Sequence, residues 1–164
     1  MKYRAVAAGI LAASLLSSPV SSFAAAKKFS DVPTWAQKSV DYLVGKKALD
    51  GKPDGTFSPS EAVDRGSAAK ILAVVLGLPI DPKAKPSFKD AQNHWAAPYI
   101  AAVEKAGVIN GDGTGKFNPS SQINRASMAS MLVQAYSLDK KIIGELPTQF
   151  EDLGPHWGKK QANI

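Results

Sequence analysis

A motif written twice, 60 residues apart, constrains this chain more than any other feature. Gly51-Lys52-Pro53-Asp54-Gly55-Thr56-Phe57-Ser58-Pro59 runs into Ser60 to Ser67, and Gly111-Asp112-Gly113-Thr114-Gly115-Lys116-Phe117-Asn118-Pro119 runs into Ser120 to Ser127. Gly51 and Gly111, Phe57 and Phe117, Pro59 and Pro119, and Arg65 and Arg125 coincide at that one offset. Self-similarity at a fixed period marks a repeat architecture. One such unit cannot bury its apolar face alone, so neighbouring units must pack together.

Each unit opens on a second small motif. Phe29-Ser30-Asp31-Val32 is matched by Phe88-Lys89-Asp90-Ala91 and again by Phe150-Glu151-Asp152-Leu153. A tryptophan follows each, at Trp35, Trp95 and Trp157, with His94 and His156 directly before the later two. From the tryptophans an apolar period of three to four sets in. Trp35, Val40, Leu43 and Val44 share one side in the first unit, as do Trp95, Tyr99, Ile100, Val103 and Ala106 in the second. Both stretches read as amphipathic helices. Gly45 and Gly107 stand near their ends, where tolerance of positive φ is useful.

After the glycine loop comes a second helix, with Asp64 or Asn124 as its N-cap. Ala68, Ala69, Ile71, Leu72, Val75 and Leu76 form its apolar body, and in the second copy Met128, Met131, Leu132 and Ala135 take that part. Those methionines are expected to fill core, and Pro79 and Pro82 to stop the first copy. The expected fold class is all-α, with tandem helix–glycine loop–helix repeats over 29–79 and 88–138. A linker over 139–149 leads to a third start at 150–164.

The first 26 residues read as a secretory signal, with a basic head at Lys2 and Arg4, an apolar run from Ala5 to Leu16, and Ala24 and Ala26 before the cleavage point. The run of about 12 residues is short for a membrane span of roughly 20. Without the signal, 138 residues remain, one domain's worth, and the net charge of +6 falls to +4. No cysteine is present, so packing and not disulfides must hold an exported chain. The lysines are scattered, with no basic run and no aromatic-interleaved stripe, which argues against nucleic acid. No stable membrane insertion is expected after cleavage.

Arginine usage is more telling. Beyond the signal, the only arginines are Arg65 and Arg125, at one place in the repeat. A guanidinium grips a carboxylate or phosphate through two hydrogen bonds, which lysine cannot do. Both arginines follow the cap, in the first turn of a helix, where a cation is disfavoured for folding alone. An anion held between the cation, the free helix amides and the open backbone of Gly111, Asp112 and Gly113, or of Gly51 in the first copy, makes sense of the position. Trp95 and Trp35 offer flat faces for a sugar ring or, equally, core. Shared ancestry of a structural arginine is the alternative reading. Asp31 and Asp90, like Asp152, read as helix-start caps before they read as catalysts.

Phe-x-Asp-Val, tryptophan, glycine loop with Phe-x-Pro, then cap-Arg-small-polar resembles the S-layer homology domain from Phe29 to about Leu138, with a third start at Phe150. The resemblance implies three units in a pseudo-threefold helical assembly, incomplete here. It also implies non-covalent anchoring to the bacterial cell wall through a secondary cell wall polysaccharide attached to peptidoglycan, often pyruvylated. The ketal-linked pyruvate carries a carboxylate, which suits Arg125, Arg65 and their loops as ligand-binding residues beside Asp90, Asp31 and the two tryptophans. The family's Thr-Arg-Ala-Glu falls on Asp64-Arg65-Gly66-Ser67 and Asn124-Arg125-Ala126-Ser127. Serine is too short to reach back as the glutamate of a capping box does. Asp64 sets a negative charge beside Arg65, which ranks the Arg125 site first. The family pattern calls for a third loop and second helix beyond Ile164, so weaker folding and binding than in a full triplet are expected.

Other functions find less in the sequence. Two histidines at equivalent places, no cysteine and no nucleophile elbow argue against an enzyme. Asn110 to Gly115 resembles a calcium loop but lacks its alternating acids and closing glutamate, so neither metal nor cofactor is expected. A protein–protein scaffold in the envelope, with the arginines bracing helices, is the main alternative. The oligomeric state is open.

Overall fold

The structure, a computed structural model, describes residues 29–140. The signal, most of the linker and the third start with Asp152, His156 and Trp157 lie outside the described residues. Four helices follow in order: α1 (Thr34–Gly45), α2 (Arg65–Val75), α3 (Ala97–Lys105) and α4 (Arg125–Tyr136), with single 3-10 turns at Lys89–Ala91 and Leu138–Lys140. Among the described residues there is no strand, only one antiparallel bridge between Asp64 and Gln122. The fold is all-α, as expected. No described helix is long and apolar enough to cross a membrane.

The second helices start where the caps predict. Asp64 and Asn124 hold extended backbone, and each accepts a side-chain hydrogen bond from the amide three residues on, at Ser67 and Ser127. The helix ends correct the reading in two places. The left-handed residue after α1 is Lys47 (φ 60), not Gly45, and Gly107 (φ 70) is its counterpart 60 residues later. Ala48 and Val108 then donate back to Leu43 and Val103 at 2.9 Å, closing the reverse turn that satisfies late helix carbonyls. Likewise α2 ends at Val75, with Gly77 (φ 64) as its terminator, before Pro79 and Pro82 are reached. The counterpart of Gly77 at the end of α4 is Ser137 (φ 50).

The main core does not sit inside a repeat. It joins Ala68, Ala69, Leu72 and Ala73 of α2 to Phe88, Ile100, Val103, Val108, Phe117 and Met131 of the second unit. Small side chains on α2 let α3 approach closely, and Gly66 extends that face. A Cβ there would meet His94 Cε1 at 3.0 Å. The helix propensity lost at Gly66 is offset by this contact. Met131 is buried and Met128 partly so, as core-filling methionines should be. A smaller cluster in the first unit gathers Phe29, Val32 and Val40, with Phe57 packed against it.

Candidate functional site

The two motifs of each unit meet. Asp31 accepts from the amides of Phe57 and Ser58 at 3.0 and 2.7 Å. Asp90 accepts from those of Phe117 and Asn118 at 3.0 and 2.8 Å. The two aspartates therefore clamp the glycine loop of their own unit and do not cap a helix. Pro33 opens α1 without any side-chain cap. The clamp fits a physical need: Ser58 and Asn118 have positive φ (58° and 56°), which turns two successive amides toward one carboxylate. Above each clamp the rings of Phe29 and Phe57, and of Phe88 and Phe117, lie 5.5 Å apart.

Gly51 and Gly111 belong to this packing. A Cβ at Gly51 would stand 2.2 Å from the Phe29 ring, and one at Gly111 would stand 2.7 Å from the Phe88 ring. Their lack of a side chain makes room for phenylalanine. At the loop tips, Asp54 and Asp112 each accept from a threonine two residues on, through both its amide and its hydroxyl. Asp112 takes two more donors, Lys116 N–H and Asn118 Nδ2. No group of three or more metal-binding side chains occurs among the described residues.

These hydrogen bonds tune acidity. The Thr114 side chain and amide hold the Asp112 carboxyl at about 2, below its ordinary 3.8. Amides of Phe57 and Ser58 lower that of Asp31. A carboxyl depressed by folding stabilises above its unfolded value and loses that contribution as pH falls through the folded one. Stability is therefore expected to drop between about pH 4 and pH 2. Urea midpoints across that range should fall less steeply in an Asp112→Asn chain.

Arg65 crosses from the first unit to the loop of the second. Its Nε donates to the Phe117 carbonyl at 2.7 Å, and its guanidinium lies 4.6 Å from the centre of the Phe117 ring. Its own amide donates to the Ser121 carbonyl at 2.9 Å and that of Gly66 to the Pro119 carbonyl at 2.8 Å. With Ser67 N–H held by Asp64, the first three amides of α2 are engaged. This corrects the expectation of free helix amides: the helix start docks on the next loop. Burial lowers the guanidinium pKa, while Asp112 and then Asp90 oppose that shift. An arginine stays charged under such a perturbation. Neither Nη makes a hydrogen bond among the described residues.

Arg65 and Asp112 are the charged walls of a cleft of about 590 Å³. Side-chain amides of Asn110, Asn118, Gln122 and Asn124 line it with the hydroxyls of Ser121, Ser127 and Ser130, and Gly111 completes one wall. Of the residues singled out in the sequence, the cleft gathers Arg65, Gly111 and Asp112. Asp90 stands behind it, holding the Phe117 and Asn118 amides. Gly113 and Arg125 are not on its lining, although Arg125's neighbours Asn124 and Ser127 are. Asp31, Gly51 and Trp35 stay with the first unit. The amide-bearing side chains were missed in the sequence because they change between copies; the bulk of the signal lay in what repeats.

The tryptophans are not core. Trp35 is 86% exposed and Trp95 55%, with Trp95 edge-on to Tyr99 at 6.5 Å. The sequence placed them on the buried side of their helices. In the structure α3 begins two residues after Trp95, and Val40 is the residue that α1 buries fully.

Known proteins are similar to this chain in sequence over most or nearly all of it. The chain is 70% identical over 156 residues (95% of it) to a Bacillus anthracis protein named an uncharacterized cell wall amidase, covering 29% of that protein. It is 56% identical over 165 residues (99% of it) to S-layer protein EA1 of the same organism, covering 19% of that protein. A cellulosome-anchoring protein of Acetivibrio thermocellus is 28% identical over 123 residues, 73% of this chain and 27% of that protein. The chain thus spans less than a third of the length of these relatives. The S-layer homology domain model matches residues 28–69 and 87–129, which are the two units up to the first turns of α2 and α4. With loop, clamp and docked arginine all inside those matches, the chain belongs to the S-layer homology domain family.

Proposed function

We propose that the chain is a non-covalent cell-wall anchoring module, working at the cell surface, that binds an anionic, pyruvylated secondary cell wall polysaccharide attached to peptidoglycan. On this reading the units run over 29–79 and 88–138, and a third begins at 150. The observation that carries it is the half-buried Arg65 on the wall of a cleft that it shares with the Asp112 carboxylate and with Val108, Ile109 and Met131, and whose remaining side chains are neutral amides and hydroxyls. Phe117 fixes the guanidinium through Nε and its ring, which leaves both Nη groups to grip a carboxylate side by side. The amides and hydroxyls suit sugar hydroxyls. No reaction belongs to this reading; the chain matches the protein named an amidase over 29% of that protein's length.

The test is co-sedimentation with purified wall sacculi, before and after acid removal of the secondary polymer. Binding should vanish on stripping. Arg65→Ala should weaken it at least tenfold, ~1.4 kcal/mol, and Arg65→Lys nearly as much, because a single ammonium cannot replace the planar fork. Binding that survives both stripping and Arg65→Ala would refute the reading. One observation favours an envelope protein scaffold instead: the same arginine braces the loop of the next unit. A scaffold would ignore the polysaccharide altogether.

A further inference from the structure

The cleft between the units carries charge of both signs. Arg65 and Asp112 both line it, yet among the described residues the two form no ion pair. They do feel each other: burial disfavours the Arg65 cation, and Asp112 is the first of the charges that favour it. The Asp112 carboxylate is firmly ionised, since the Thr114 side chain and amide hold it at about 2. Oδ1 takes both Thr114 donors and the Lys116 amide, whereas Oδ2 takes the Asn118 side-chain amide at 3.1 Å. A carboxylate oxygen accepts twice, so Oδ2 keeps one acceptor site open. The loop itself does not require an acid at this place. In the first unit the same threonine turn is built two register positions later, by Asp54 and Thr56, and the residue 60 positions before Asp112 is Lys52. Sliding the turn by two positions sets the acid beside Gly111, on the cleft.

A purely anionic ligand fits such a cleft poorly. Its carboxylate gains from the Arg65 fork and loses to Asp112, and the neutral amides and hydroxyls do not cancel that repulsion. We propose that the polysaccharide segment held here is zwitterionic, with its acidic group on Arg65 and, on a neighbouring sugar, an unsubstituted amine whose ammonium lies against Oδ2 of Asp112. The ligand class is therefore an acidic chain containing a hexosamine that is not N-acetylated. This rests on the reading of the cleft as the anchoring site and adds a second pole to it. An N-acetyl group offers a neutral N–H in place of a cation, so it meets the desolvation cost of Asp112 without the attraction. Arg65 then supplies most of the affinity, and Asp112 selects among acidic chains by the charge of the sugar next to the acid.

The probe is the secondary polymer released from the sacculi, used as isolated and after N-acetylation with acetic anhydride, with affinity for the full chain read by titration calorimetry. Wild type is expected to lose about threefold to fivefold on acetylation, the range of an ion pair at an open wall. Asp112→Asn keeps an acceptor for Thr114 but no charge. It should bind the native polymer as weakly as wild type binds the acetylated one, and acetylation should not weaken it further. Acetylation that leaves wild-type affinity unchanged would overturn the proposal. So would acetylation that weakens Asp112→Asn as much as wild type, which would make Asp112 the clasp of its turn or a partner for sugar hydroxyls. The acetylation result in wild type needs no variant, so it decides even if the loop fails to form in Asp112→Asn. Arg65→Ala separates this failure from that of the anchoring reading. A loss of about tenfold there, with no effect of acetylation on wild type, would leave the anchor standing without its second pole. Wild type that binds neither polymer would overturn both.

Discussion

Phe117→Ala is expected to lose about 3–5 kcal/mol of stability, the usual cost of deleting a fully buried phenylalanine. Phe117 is one of the few large side chains with no exposure at all, and it sits in the core shared by the two units. Its ring also stacks on Phe88 and carries the Arg65 guanidinium. The deletion therefore removes the platform that positions the candidate ligand-binding group. Urea unfolding should show the loss as a lower midpoint. Phe57→Ala, at the equivalent but only partly buried position, should cost distinctly less. Equal losses at the two positions would mean that the first unit is packed as tightly as the second.

Gly51→Ala should cost about 2–4 kcal/mol, from overpacking and left-handed strain together. The added Cβ falls 2.2 and 2.3 Å from two atoms of the Phe29 ring and 3.0 Å from the Thr56 carbonyl, with φ at +71°. Phe29 is itself buried, so its ring has nowhere to swing. Gly55→Ala separates the two causes. Gly55 also has positive φ (+89°), but a Cβ there meets nothing within 4 Å. It should show only the strain, about 1–2 kcal/mol. Thermal melts of the two variants beside wild type would check the difference, and similar melts would remove the ring from the explanation.

Much of this was legible in the sequence because it repeats. The offset shared by Gly51 and Gly111, Phe57 and Phe117, and Arg65 and Arg125 marked the loops and the helix starts, and Asp64 and Asn124 declared themselves as caps. What stayed hidden was contact across the repeat. Asp31 and Asp90 looked like helix caps because they precede helices. Their partners are amides 26 to 28 residues downstream, and local spacing carries no sign of that. Arg65 pointed to an anion in the sequence; the carbonyls of the next unit that it first engages could not be read there. Trp95 misled because α3 begins two residues after it, and Trp35 because its ring stands exposed in the first turn of α1. Lys47 and Ser137 ended helices without the glycine that usually gives such ends away.

The placement of α2 has a consequence for how the protein comes apart. Its alanine face belongs to the core of the second unit, so the repeat in the sequence and the unit of folding are out of phase by half a period. Under native conditions the amides of α2 should open together with those of α3, and α1 should open on its own at lower free energy. A cut in the connector between 79 and 87 would sever the sequence repeats without parting the folding unit. Selection acting on one repeat is therefore always also acting on the next.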